Sequence, residues 1–194
     1  IELLRVYSTL ANRGVQDELT VIKGITLDDG TGYARFVYHP KQVIDQAPVD
    51  LLTEMMQSVF TYGTAKDAYK MGFERPAAGK TGTTSHHRDS WFAGFTPHLA
   101  TVVWVGIDHD QGSNETARKE PSKTKLVLTG ATSALPIWAS FMKEALVGEP
   151  PSPFPLSEHL LDVLVDKHSG NIASSDCPSS QTLMEKYIRG VEPR

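Results

Sequence analysis

Cysteine is nearly missing from this chain of 194 residues. Cys177 stands alone, so no disulfide can close within the chain, and the count says nothing about redox compartment. Long apolar runs are missing too. The longest, near 102–107, falls far short of the roughly 20 residues that a helix needs to span a bilayer. Positive charge is in short supply: 19 Lys and Arg against 23 Asp and Glu leave a net charge of -4, with the basic residues scattered. That excludes the basic patch expected of a nucleic-acid-binding surface. No initiator methionine or signal peptide stands at the start, and Ile1 opens directly into a helical pattern, so a piece cut from a longer chain is expected. What is present is ordinary globular material, 40% hydrophobic and 22% charged, enough for one domain or a large part of one.

Leu3, Leu4, Tyr7, Leu10 and Ala11 recur at helical spacing, with Gly14 as a stop. Residues 18–38 alternate around Asp28-Asp29-Gly30, which predicts a hairpin. Asp50 is placed to cap a helix whose apolar stripe is Leu51, Leu52, Met55, Met56, Val59 and Phe60, ending near Gly63. A short helical turn over 64–71 precedes strands at about 77–84, 89–96 and 100–107, apolar enough to be covered on both faces. Residues 108–125 read as a polar surface loop. A helix over 133–147 has Pro136 in its first turn and Gly148 beyond its end. The proline-rich run 149–155 reads as a linker, followed by one strand at 161–165 and turn-rich sequence to Arg194.

The most informative stretch is Ala78-Gly79-Lys80-Thr81-Gly82-Thr83-Thr84. A Lys-Thr-Gly triplet on a strand is one of three motifs that build a penicillin-reactive serine site, the others being Ser-x-x-Lys and Ser-x-Asn. On a strand lining a cleft, Lys80 supplies positive field, Gly82 leaves room for a peptide to pair closely, and the Thr83 N–H is placed to meet a developing oxyanion. Side chains alternate, so Lys80 and Gly82 share one face and Thr81 and Thr83 the other, with strand twist expected to bring Lys80 and the Thr83 hydroxyl towards one ligand. Neither companion motif occurs upstream of Lys80.

Around the triplet, Arg88-Asp89-Ser90-Trp91-Phe92-Ala93-Gly94-Phe95-Thr96-Pro97 and Val102-Val103-Trp104-Val105-Gly106 follow in order. Together with Tyr7-Ser8-Thr9-Leu10-Ala11-Asn12-Arg13-Gly14, Pro136-Ile137-Trp138, Asp176-Cys177-Pro178 and Gly190-Val191-Glu192-Pro193, this series resembles the transpeptidase domain of class A, bifunctional penicillin-binding proteins over nearly the whole chain. The resemblance implies an α/β (α+β) fold of the serine β-lactamase and DD-transpeptidase type, an antiparallel sheet with helices on both faces, present as a partial domain. It implies a membrane-anchored parent at the periplasmic or extracellular face of the cytoplasmic membrane. That parent would cross-link peptidoglycan stem peptides through D-Ala-D-Ala, be acylated by β-lactams, and need no cofactor or metal. Carried over by motif, Lys80 and Thr83 are the catalytic residues of this chain, and Thr81, Gly82, Thr83 and Thr84 bind substrate. The nucleophilic serine, and a glycosyltransferase domain, belong to a missing N-terminal part. Trp91 and Phe92 are expected to pack. Residues 1–148 are then the C-terminal portion of the transpeptidase domain, and 149–194 the linker and closing segment. The rival is a transpeptidase-like domain that binds peptidoglycan or partner proteins without turnover.

Other motif matches read as chance. Ser122–Lys125 and Ser140–Lys143 fit Ser-x-x-Lys, and Ser169-Gly170-Asn171 fits Ser-x-Asn, but all follow Lys80 rather than precede it. A phosphate loop ending at Gly79-Lys80-Thr81 requires glycine where Glu74 stands. Asp108, Asp110 and Asn114 lack the glycine and the closing glutamate of a calcium loop. His86 and His87, adjacent on an extended chain, would point opposite ways and share no metal.

Overall fold

A computed structural model describes residues 1–16, 18–35, 37–107, 128–155 and 157–193, excluding the side chain of His86. The polar loop expected over 108–125, with Ser122, Lys125, Asp108, Asp110 and Asn114, lies outside the described residues. Contacts divide the chain into two units, Ile1–Met56 with Pro153–Arg194, and Gln57–Ser152.

In the first unit, helix α1 (Glu2–Ala11) ends in a turn where Gly14, at φ +88°, returns its N–H to the Thr9 carbonyl (2.8 Å). Only glycine fits there, because a Cβ would collide with the Ile44 carbonyl oxygen. Strand β1 (Val15–Gln16) then pairs antiparallel with β4 (Lys41–Gln42), and β2 (Gly24–Thr26) with β3 (Gly32–Arg35) in the expected hairpin, turned at Gly30. The last hairpin pairs β8 (Leu160–Asp166) with β9 (Thr182–Ile188). Strand β9 was not foreseen: its residues are half-buried or exposed, so no apolar alternation marks it, and 15 residues of turn-rich sequence separate it from its partner (167 to 181).

Helix α2 (Gln46–Thr61) corrects the expectation at Asp50. It starts four residues before that position, with Pro48 in its first turn, where no intrahelical N–H bond is lost. Asp50 is no cap. Its buried carboxylate takes a two-pronged bond from Arg13, Nε to Oδ1 at 2.9 Å and Nη2 to Oδ2 at 2.7 Å. The apolar stripe also turns: Val49, Thr53, Met56 and Phe60 are buried, while Leu52 and Met55 are exposed. A threonine in the buried row hid the true face.

In the second unit, a 3₁₀ helix over Lys66–Met71 leads through Gly72 (φ +81°) to three antiparallel strands in the order β5 (Ala78–Thr83), β6 (Asp89–Phe95) and β7 (Ala100–Gly106). Each lies within a residue or so of its expected span. The helix expected over 133–147 begins as a π turn, Gly130–Ala134, and becomes α3 at Leu135–Ala145, with Pro136 in the first turn. Trp138 on α3 is fully buried, with ring centroids 5.0 Å from Phe92, 5.0 Å from Phe73 and 5.5 Å from Phe60. Its Nε1–H faces the Gly94 and Thr101 carbonyls at 3.3 and 3.2 Å. Gly94 must lack a side chain, since a Cβ there would sit 2.9 Å from both Phe92 and Trp138. The expectation of strands covered on both faces holds only in part: Phe92 and Phe95 are buried, but Trp104 is 57% exposed. Among the described residues no helix is long and apolar enough to cross a membrane.

Two measurements check these packing arguments. Trp138→Ala is expected to cost about 3–5 kcal/mol, as loss of a fully enclosed indole does, read as a shift in urea midpoint by circular dichroism. At Asp50, burial pushes the carboxyl up, but bonds from Arg13 and Ser157 and the charges of Arg13 and His159 outweigh it and hold it below the ordinary carboxylate value. The stabilisation is therefore complete above the unfolded pKa of about 3.9 and lost as pH falls through the lower folded value. Asp50→Asn is expected to destabilise the first unit by about 2–3 kcal/mol near neutral pH. Hydrogen exchange of the α1 amides should show that loss, and wild type and variant should converge as pH falls through the lowered folded value of Asp50.

Candidate active site

Strand β5 pairs with β6 along Ala78↔Phe95, Gly79↔Gly94, Lys80↔Ala93, Thr81↔Phe92, Gly82↔Trp91 and Thr83↔Ser90. The Thr84 N–H bonds to the Asp89 carbonyl at 3.0 Å, which sets the phase of the ladder. In an antiparallel pair, bonded and non-bonded positions alternate. The even-numbered residues of β5 thus spend their backbone groups on β6, while Thr81 and Thr83 turn theirs to the other side. No second strand lies there among the described residues, so that side is an open sheet edge. The Thr81 carbonyl on it is met by the Lys80 ammonium at 3.1 Å.

The side chains divide as strand geometry dictates. Lys80, exposed, shares its face with Gly82 and Trp91. Gly82 sits tight against Trp91, where a Cβ would come within 3.2 Å of the indole's own Cβ. Trp91 in turn packs on Trp104 at 6.1 Å. Thr81 and Thr83 share the opposite face with Ser90 and Phe92, and the segment 128–130 lies against it. There the Gly130 N–H donates to Thr83 Oγ1 (3.2 Å), and Ser90, fully buried, donates to the Thr129 carbonyl (2.8 Å). The Thr83 hydroxyl, acting as acceptor for Gly130, keeps its proton for another partner. The Thr81 hydroxyl lies 3.0 Å from that of Thr64.

Thr84 closes the strand differently. Its hydroxyl donates to Asp89 Oδ2 and accepts from the Asp89 N–H, both at 3.0 Å, while Asp89 Oδ1 takes the Trp104 Nε1–H at 3.0 Å. Four of the five predicted site residues, Lys80, Thr81, Gly82 and Thr83, are therefore within a strand whose edge is open, and the fifth, Thr84, is engaged by Asp89. Lys80 and the Thr83 hydroxyl remain on opposite faces, so a ligand meets both only at the edge itself. Sequence reasoning missed Thr64 and Gly130, because each reaches β5 through the fold rather than through a motif.

The remaining matches take ordinary structural places. Ser140 lies exposed in the middle of α3. The Ser169 hydroxyl donates to Asp166 Oδ1 at 3.0 Å and shapes the turn after β8. His86 and His87 stand in a 3₁₀ turn (Ser85–His87), not on extended chain, and His87, at φ +55°, bonds through Nδ1 to the Leu128 carbonyl at 3.2 Å. No three His, Cys, Asp or Glu side chains among the described residues gather to hold a metal ion.

A glycine fixes the spacing between segment 128–130 and β5. A Cβ on Gly130 would fall 2.7 Å from Thr81 Cβ and 2.7 Å from the Trp91 carbonyl, one of them backbone. Gly130→Ala is expected to push the segment off β5 at a cost of about 1–3 kcal/mol, the usual range for overpacking. The urea midpoint and the amide shifts of Thr81 and Thr83 should both move; unchanged shifts would mean the segment does not hold the strand.

The geometry agrees with what the chain is similar to. The family described as penicillin binding protein transpeptidase domain matches residues 1–128. Penicillin-binding protein 2D of Bacillus subtilis strain 168 is 31% identical over 201 residues, covering 100% of this chain and 26% of that protein. Penicillin-binding protein 1A of Aquifex aeolicus strain VF5 is 29% identical over 193 residues, covering 100% of this chain and 24% of the relative. In fold, the crystal structure of penicillin-binding protein 1A from Haemophilus influenzae superposes with a TM-score of 0.79 at 22% identity, over 100% of this chain and 32% of that one. The chain thus spans about a quarter of the length of the curated relatives it matches. With an open-edged strand carrying Lys80, Thr81, Gly82 and Thr83 in a serine β-lactamase-like fold, and with this family match over most of its length, the chain belongs to the transpeptidase domain of class A penicillin-binding proteins.

Proposed function

We propose that this chain supplies the Lys-Thr-Gly wall of a peptidoglycan DD-transpeptidase. The observation that carries the reading is the open edge of β5. There the backbone groups of Thr81 and Thr83 face away from β6, beside an exposed ammonium and two hydroxyls. A stem peptide ending in D-Ala-D-Ala is an extended chain with a terminal carboxylate, and such a chain can be held as an added strand on this edge. Its carboxylate is an acceptor without a proton, suited to the hydroxyls of Thr81 and Thr83 and to the Lys80 charge.

The chemistry is acyl transfer through a serine ester. The serine oxygen bonds to the carbonyl carbon of the penultimate D-Ala as the amide C–N bond breaks, and the departing D-Ala amine takes a proton. The amine of a second stem peptide then displaces the serine. The Thr83 N–H, turned outward, donates to the oxyanion of each tetrahedral intermediate, with the nucleophile's own N–H as its partner. Lys80 stabilises negative charge and organises the proton transfers. Gly82 leaves the edge free of side chain on the Trp91 side. Thr84, held by Asp89, fixes the end of the strand. No metal or organic cofactor enters this reaction. β-Lactams acylate the same serine by ring opening.

The serine belongs to a part of the parent outside this chain, since Ser-x-x-Lys and Ser-x-Asn do not occur before Lys80. In this reading residues 1–148 are the C-terminal portion of the transpeptidase domain, and 149–194 the proline-rich linker and closing segment. The parent is anchored in the cytoplasmic membrane, works on its outer face, and carries a glycosyltransferase domain.

The test is acylation by a β-lactam. Incubated alone, this chain is expected to gain no penicilloyl mass; an adduct on Ser140 or Ser122 would contradict the assignment. In the full parent, Lys80→Ala is expected to slow acylation by roughly a hundred- to a thousand-fold with the fold intact, the usual loss for one such electrostatic group. Thr83→Ala should cost less, because its N–H survives. A folded Lys80→Ala parent acylated at the wild-type rate would favour a domain that binds without turnover.

A further inference from the structure

The hydroxyl of Thr64, from outside the strand, lies 3.0 Å from that of Thr81. It is mounted rigidly. Helix α2 ends at Thr61, and the Gly63 N–H bonds back to the Ser58 carbonyl at 3.1 Å. A Cβ on Gly63 would lie 2.6 Å from Val59 Cα, so the chain passes through this point without slack. On the other side Ala65 is fully buried and bonds to the Val59 carbonyl at 2.9 Å. Thr64 stands exposed between two fixed neighbours, one turn beyond Phe60, which itself is locked against Trp138.

Thr81 is held from two directions. The space a Cβ of Gly130 would need is filled by Thr81 Cβ and Cγ2, at 2.7 and 3.0 Å, so the methyl side of Thr81 rests on Gly130. Its hydroxyl side meets Thr64. Together these contacts select one side-chain rotamer for a residue that is already stiff at χ1. The proton count gives the contact a direction. A carboxylate only accepts, so a Thr81 hydroxyl bound to one must spend its single proton there. The bond with Thr64 must then run from the Thr64 hydroxyl to Thr81 Oγ1, and a hydroxyl that accepts a bond donates a stronger one.

The geometry points to Thr64 as a positioning residue for carboxylate recognition: it donates to Thr81 and thereby aims and polarises the Thr81 hydroxyl towards the terminal carboxylate of the substrate or β-lactam. This rests on the transpeptidase reading of the β5 edge. It adds to that reading a residue 17 positions upstream of the strand residue it serves.

The test compares a β-lactam carboxylic acid with its methyl ester on the full parent protein, using variants at positions 64 and 81. Thr64→Val keeps the shape and removes the donor. It is expected to weaken acylation by the acid about tenfold, through the binding step rather than the limiting acylation rate, as loss of one bond relayed to a charged group would. Acylation by the ester should change by less than about twofold, because its neutral group gains little from a polarised hydroxyl. Thr64→Ser should restore the acid rate. Equal losses with acid and ester, or failure of Thr64→Ser to rescue, would mean that Thr64 merely props the turn and would overturn the proposal. Wild-type behaviour of Thr64→Val beside a slowed Thr81→Val would also overturn it, while leaving the site reading intact. If Thr81→Val itself takes the acid at the wild-type rate, the carboxylate reading of the β5 edge fails, and the role of Thr64 fails with it.

Discussion

The second unit depends on one indole. Trp138 is enclosed by Phe60 from the end of α2, Phe73 from the segment after the 3₁₀ helix, and Phe92 from the middle strand, and its N–H is spent between the carbonyls of β6 and β7. A ring of this size approaches the sheet so closely only because Gly94 has no side chain. Burying that cluster supplies the main apolar contribution to holding α3 on the sheet. It also determines where the site components fall. Phe60 fixes the turn that carries Thr64, Phe92 lies directly across from Thr81, and the π turn that opens α3 brings Gly130 onto the strand. The candidate site is thus placed by packing on one face of the sheet and presented at the edge beside it.

That arrangement separates two tasks along a single strand. Residues 80, 82 and 84 bind β5 into the sheet through their backbones, so the strand stays rigid without outside help. Residues 81 and 83 leave their backbone groups at the edge while their hydroxyls are set by Thr64 and Gly130. A free edge is normally an aggregation hazard, and a lysine on it is one common safeguard. Lys80 is such a lysine, and in the transpeptidase reading it also offers charge to a chain that arrives with a carboxylate.

Much of this was legible in the sequence, and the limits have physical causes. The three strands of the second unit were placed nearly to the residue because their apolar runs are bounded by the turns at 84–88 and 96–99. Gly14 and Gly148 marked helix ends, and Gly30 a hairpin turn, that the structure realises at positive φ. Helix α2 was read as starting late because Asp50 imitates a cap, whereas its carboxylate answers Arg13, 37 residues away. Strand β9 went unseen because a two-stranded hairpin half in solvent needs no apolar alternation. The motif residues themselves could be named in advance, and alternation gave their faces. Their partners could not: Thr64 and Gly130 reach Thr81 and Thr83 across separations of 17 and 47 residues, which only the folded chain brings together.

In the transpeptidase reading, the outward edge of β5 holds the acyl group and its carboxylate. The crystal structure of the full parent acylated by a β-lactam tests it most directly. The ester carbonyl oxygen is expected about 3 Å from the Thr83 nitrogen, with the ligand running antiparallel along residues 81–83 and its carboxylate on the hydroxyls of Thr81 and Thr83. A ligand seated elsewhere, or a β5 edge occupied by another strand of the parent so that the Thr83 N–H is already bonded, would contradict it.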